Sequence, residues 1–206
     1  RMMNLLQEGK VVQFNNMIQN CFYIIISLSL PTALLVYLCA PEIVQILFGS
    51  NFERAILPLQ ITAPIIVVVS LSTIFGFQIL SALSKDKNIL ISAMLGTLVS
   101  ILFSILLIKQ YKENGEAFTI FLTEITVCAS FIYFSRKHFN ISKFTVILIH
   151  QLVAILPLIL FVFTIKYFVI NIYIRIIYIS LITLLWYFVL HYFILPNSVL
   201  KTQFLK

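Results

Sequence analysis

"ILISAMLGTLVSILFSILLI", residues 89–108, carries no charged side chain anywhere along its length. As an α-helix at 1.5 Å per residue it rises about 30 Å, which is the thickness of a bilayer's hydrocarbon core. The run shows no period-2 alternation, so it reads as a membrane-spanning helix and not as a strand of an outer-membrane barrel. Small side chains recur along it: Ala93, Thr97, Ser100 and Ser104 follow at steps of four, three and four, with Gly96 close by. Such a stripe lets helix backbones approach closely where lipid removes any hydrophobic drive to associate. A polar pore lining would use the same residues; packing is the primary reading.

Working outward, the 206-residue chain is 61% hydrophobic and only 10% charged, against roughly 25% charged in a soluble domain. Cutting at charges and turn residues gives six spans, near 21–40, 56–83, 89–108, 117–135, 145–165 and 174–195. The expected fold is therefore all-α, a polytopic membrane helix bundle with short loops and neighbouring spans packed up and down. No cleavable leader with an apolar h-region opens the chain, which begins with Arg1 and not Met; it is read as a piece of a longer protein. The expected organisation is a lead-in segment over 1–20, four spans over 21–135, and two further spans with a tail over 136–206.

Fourteen Lys and Arg against seven Asp and Glu give a net charge of +7. These cations are scattered through short loops and never interleave with aromatics on a polar surface, so nucleic acid is not the expected partner. Membrane orientation explains them better. With the N-terminal segment in the cytoplasm, Lys10, Lys85, Lys87, Arg136, Lys137 and Lys143 share that side, which also takes both ends of the chain. Arg54, Lys109, Lys112, Lys166 and Arg175 fall on the other side with most of the acids.

The chemistry-bearing residues are few. Cys21, Cys39 and Cys128 lie in or beside apolar runs without metal-ligand spacing and read as small core side chains. His138, His150 and His191 stand without any accompanying catalytic motif, so no enzyme activity, cofactor or metal is expected. His150 and Gln151 are two polar groups in succession inside the fifth span and need partners there. Pro31, Pro64 and Pro157 interrupt spans and can kink them. After the first span, Pro41 ends the helix and an amphipathic elbow follows, with Ile43, Ile46, Leu47 and Phe48 expected toward lipid and a turn at Gly49.

Glu124, in "FLTEITVCAS", is an acid inside a long apolar run. Counted from Ala117 it lies about 10 Å below the outer surface. Placing a charge at a helix centre costs about 2.5–3.5 kcal/mol unless it faces a cavity or a partner. Thr119, Thr123, Thr126 and Ser130 form a hydroxyl stripe expected to face 100–160° away from Glu124, so stripe and acid are read as separate faces. Two readings of the acid stand: a group lining a transport route, or a buried Glu that fixes helix packing.

Three stretches in register resemble a known family: "PEIVQILFGSNFERA", then the "SxxFGFQILSALSKDK" pattern of residues 72–87, then "NGEAFTIFLTEITVCASFIYFSRK". Over residues 31–138 the chain is similar to the C-terminal part of polysaccharide transporters, the Wzx-type flippases for O-antigen and other lipid-linked oligosaccharides, within the multidrug/oligosaccharidyl-lipid/polysaccharide exporter superfamily. Here Gly115 is followed by Glu116 before Ala117, where that family often has Gly then Ala.

The resemblance implies the last six helices of a probable fourteen-helix exporter in the plasma membrane. It implies alternating access around a central cavity, with an undecaprenyl-diphosphate-linked oligosaccharide as cargo. Membrane lipid, an N-terminal lobe of the same protein and a polysaccharide polymerase are the implied partners. Glu124 becomes the transport or coupling candidate, Gln78, His150 and Gln151 weaker cavity candidates, and Lys109, Lys166 and Arg175 candidates for headgroup contact. A drug or cation antiporter and a peptidoglycan-precursor flippase of the same superfamily stay open as alternatives. A membrane-embedded polymerase or acyltransferase would need a large outer loop or a catalytic constellation.

Overall fold

The computed structural model describes residues 8–139, 141–169 and 171–194, without the side chains of 141–143 and 188–194. It is an all-α bundle. Helix α1 (Val11–Leu38) leads into a short α2 (Ala40–Phe48). The second span, Ser50–Leu80, is assembled from a 3-10 stretch (Ser50–Ala55), α3 (Ile56–Thr62), α4 (Ile65–Ser72) and a π-helical stretch (Thr73–Leu80). Helix α5 (Asp86–Phe103) also widens into π geometry at Ser104–Ile108. Helix α6 (Glu113–Ser135), α7 (Ile141–Phe168) and α8 (Ile172–Ile194) complete the order. Five of these segments are long and apolar enough to cross a bilayer, and a shorter apolar helix covers Ile172–Tyr187. The protein is a multi-pass membrane helix bundle.

Helix α1 starts at Val11, well before the expected position near residue 21. Its inner face explains the extension: Phe14, Ile18, Phe22 and Ile26 recur every four residues and are all buried. They pack on Ile74 and Phe75 of the second span, and on Phe131 and Phe144. Phe22 meets Phe144 edge-on with ring centroids 4.5 Å apart. That geometry places the positive edge of one ring on the negative face of the other.

Helix α5 is built the opposite way. Only 11% of its most apolar window is buried, and its large side chains, among them Leu90, Met94, Leu98 and Leu102, face outward where lipid would lie. Its buried positions are Ser92 and Gly96. A Cβ on Gly96 would come within 2.5 Å of the Val127 methyl of α6, so α6 seats directly on the α5 backbone there.

The reversal between α5 and α6 is far tighter than the loop expected over 109–116. Past the π stretch a last α-helical turn, Lys109–Tyr111, carries α5 on, so one residue, Lys112 at φ +49°, separates it from α6. Gly115 lies in the first turn of α6 against the α5 backbone, and a Cβ there would overlap the Leu107 carbonyl. Backbone cannot yield as a flexible side-chain tip can. Gly115→Ala is therefore expected to cost about 1–3 kcal/mol, read as a lower unfolding midpoint of the solubilised protein, while Ala at the roomy Gly9, where no atom lies within 4 Å, costs only the strain of its positive φ.

The two ends of the bundle differ in polarity. At one end Lys85 donates to His138 Nε2 at 2.7 Å, which leaves that nitrogen unprotonated and joins the 81–87 and 136–139 loops. Those two loops therefore lie on one side of the membrane, as the charge count expects. At the other end lie α2, Lys109, Lys166 and Arg175.

Candidate functional site

Glu124 is the twelfth residue of the 23 in α6, counting from Glu113. The acid lies about 16 Å along the helix from Glu113 and midway along the Glu113–His138 segment; its expected ~10 Å from the apolar start at Ala117 is unchanged, since the residues ahead of it are mostly polar. It is half-buried and has no hydrogen-bond or ion-pair partner among the described residues. Keeping an unpaired acid at this depth costs the full ~2.5–3.5 kcal/mol of a helix-centre charge, unless water reaches it or it is protonated.

Glu124 borders a groove of about 470 Å³ between the second span, α5 and α6. Ser72 and Thr73, Thr97 and Ser100, and Thr123 bring hydroxyls to the same groove from all three helices. Ala93 and Gly96 line it too, so the small stripe of α5 packs against α6 along one edge and opens into the groove along the other. Thr123 and Glu124 share the groove, which corrects the reading that hydroxyl stripe and acid are wholly separate faces: 100° on a helix is narrow enough for both to border one open cleft. The stripe's hydroxyls are bonded within their own helix. Thr119, Thr123, Thr126 and Ser130 each donate to the carbonyl four residues back, at 2.8 Å in every case.

Ser72, Thr73 and Phe77 reach the groove from where α4 passes into the π stretch, and α5 turns π just beyond Ser100 and Ile101. A π-bulge leaves helix hydrogen bonds imperfect and occurs preferentially at functional sites. The Gln78 Oε1 is buried without a hydrogen-bond partner among the described residues, and the buried Ser72 hydroxyl meets the Cys128 thiol of α6. Gln78 itself does not line the groove. Sequence reading missed Ser72 and Thr73, because a Ser-Thr pair in an apolar helix carries no depth or direction until its neighbour helix is known.

The other candidates scatter. Gln151 is buried and pairs with the Tyr23 hydroxyl across α1 and α7. Its neighbour His150 is exposed, so the adjacent pair does not form one inward polar site. Lys109 is exposed and has no ion pair among the described residues. The side chain of His191 lies outside the described residues. Cys39 and Cys128 are buried, Cys21 is half-buried, and all three are free. No three His, Cys, Asp or Glu side chains among the described residues gather to hold a metal ion.

Lys166 and Arg175 do come together, around a residue that no local pattern singles out. Glu42, in the first turn of α2, is only 4% exposed. Its Oε1 accepts from Lys166 Nζ at 2.9 Å and from Arg175 Nη1 at 3.0 Å, and its Oε2 accepts from Lys166 at 3.1 Å. Lys166 also donates to the Leu38 carbonyl at the end of α1, and Arg175 Nε donates to Val169 O at 2.9 Å. One carboxylate thus ties α1, α2, α7 and α8 together at one end of the bundle. Beneath it Cys39, Val162 and Ile179 form a small core with Ile43, so Ile43 packs inward instead of toward lipid; Ile46, Leu47 and Phe48 are exposed as expected. The two cations read as headgroup contacts are engaged by Glu42.

Burial alone would push the Glu42 carboxyl up. Hydrogen bonds from Lys166, from its own backbone N–H and from Arg175 outweigh burial and hold it below its ordinary value of 4.5. A carboxyl depressed on folding adds stability that is complete above its unfolded value and is lost as pH falls through the folded one. The unfolding midpoint of the solubilised protein should therefore carry no Glu42 contribution to its pH dependence between about pH 8 and 6, and should lose one below pH 4.5 that Glu42→Gln lacks.

No family model matches the chain, and no solved structure matches it significantly. Among curated proteins, one from Escherichia coli (strain K12) named "Putative O-antigen transporter" is 28% identical over 106 residues, covering 52% of this chain and 26% of that protein. The matched region thus spans about a quarter of the relative's length. The similarity is partial, and the helix bundle beside it is that of a multi-pass membrane protein.

Proposed function

We propose that this chain forms one lobe of an exporter that moves lipid-linked oligosaccharide, undecaprenyl-diphosphate-linked in kind, from the cytoplasmic to the outer leaflet of the plasma membrane. The observation that carries the reading is Glu124: an acid with no partner among the described residues, midway along its span, beside a groove to which three helices bring hydroxyls. The named relative adds the cargo class.

The physics of the task matches the site. A flippase must carry a polar headgroup across hydrocarbon while the lipid tail stays in it, so it needs polar groups along one path only. Hydroxyls from three helices can exchange hydrogen bonds with a sugar's hydroxyls without charge. Glu124 adds one group that can take up and release a proton. Coupling proton uptake to which side is open gives the transport its direction. A second lobe, from the rest of a longer chain, closes the path opposite this one, and both ends of the present segment face the cytoplasm. The diphosphate meets its cations on that second lobe, since Lys166 and Arg175 are spent on Glu42. A polymerase at the outer face would take the product.

Deleting the gene should stop surface polysaccharide and leave lipid-linked repeat units on the inner leaflet, detected by their resistance to glycosidase added outside intact spheroplasts. Unpolymerised units accumulating on the outer leaflet would refute export and point to a polymerase.

A further inference from the structure

A second polar recess lies at the Lys85–His138 end of the bundle, apart from the Glu124 groove. It holds about 250 Å³ and is lined by Asn15, Asn16 and Gln19 of α1, by Phe139 and Phe144, and by two aliphatic side chains. Asn15 and Gln19 are half-buried one turn apart on the same face of α1, and Asn16 is exposed beside them. None of the three amides makes a hydrogen bond among the described residues. The two phenyl rings meet edge to face, 5.0 Å apart at 68°; Phe144 is buried in the core, and half-buried Phe139 is the ring left partly open on that wall.

We propose that this recess binds one neutral sugar ring. Each amide offers a carbonyl acceptor and two N–H donors, a set that vicinal hydroxyls, which both give and take, can fill from one side. A phenyl face carries negative charge density and receives the slightly positive C–H face of a sugar. Among the described residues the lining holds no charged side chain to offer a phosphate a counter-charge. An apolar ligand would leave three amides unpaired, which is costly once they are covered. With water occupying about 30 Å³ per molecule, the recess has the room of roughly eight waters, enough for a single ring and too little for a chain of them. The sugar can arrive free or as a lipid headgroup.

The site shares no lining residue with the Glu124 groove. Failure of the export reading would leave glycoside binding here untouched, and the reverse also holds.

The whole protein carrying this chain, in nanodiscs, would be titrated with methyl glycosides of neutral hexoses by saturation-transfer NMR, and in parallel with a glycosyl-diacylglycerol in the disc. Saturable binding of either form is expected, weakened at least ten-fold by Asn15→Leu with Gln19→Leu. Asn16→Ala, at an exposed position that folding does not need, is expected to weaken it by a smaller factor and serves if the double variant fails to fold. Lipid-anchored sugar alone binding would assign the recess to a headgroup and still support it. No saturable binding of either form, binding indifferent to these substitutions, or displacement by inorganic phosphate would overturn the proposal.

Discussion

Glu124→Gln is expected to lower export at least ten-fold in cells while the protein remains inserted and folded. Gln keeps the size of Glu and its capacity to accept hydrogen bonds from cargo, but it cannot ionise. If Glu124 served only to pack α6, the exchange would remove a mid-membrane charge that has no partner among the described residues, and would be neutral or stabilising by up to the ~2.5–3.5 kcal/mol that such a charge costs. The two roles thus predict opposite outcomes for one substitution. A coupling role also predicts that Glu124→Asp keeps part of the activity with a shifted pH profile, because a titratable group persists at a shorter reach. Measuring surface polysaccharide against membrane protein level separates these cases.

Glu42→Ala is expected to produce the largest loss of stability in the molecule. It removes the shared acceptor and leaves Lys166 and Arg175, only 23% and 21% exposed at their side chains, facing each other without an anion. Breaking a buried ion pair by taking out one partner costs about 3–5 kcal/mol. Their residual access to water places this case near the lower figure. Replacing all three by apolar residues of similar volume, Glu42→Leu with Lys166→Met and Arg175→Met, should restore most of the stability, since no uncompensated charge then remains. An unfolding midpoint unchanged in Glu42→Ala would show that the cluster contributes nothing to docking α7 and α8.

These two acids also mark how far the sequence could be read. The spans were legible because uncharged runs such as 89–108 have one physical solution in a bilayer, and Glu124 stood out because hydrocarbon makes a lone acid conspicuous. The start of α1 was hidden: "VVQFNNMIQN" alternates amides with apolar residues, and only the buried series from Phe14 to Ile26 shows that the helix runs through it. The turn at Lys112 was hidden as well, because a polar stretch reads as a loop until Gly115 is seen against the Leu107 backbone. Glu42 was invisible for a different reason. Its partners lie 124 and 133 residues away, beyond any local spacing rule, and an acid after a proline at a span end reads as an ordinary solvated loop residue. The groove was half legible. The stripe on α5 and the acid on α6 were both evident, but their meeting with Ser72 and Thr73 depends on how three helices pack.

Export by this site is tested most directly in vesicles. The whole protein would be reconstituted with a lipid-linked oligosaccharide, and transfer between leaflets followed by the fraction that an added glycosidase can reach. The account predicts time-dependent transfer by the native protein, driven by a proton gradient, and transfer at the protein-free rate for Glu124→Gln. Equal rates for native and Glu124→Gln vesicles would contradict it.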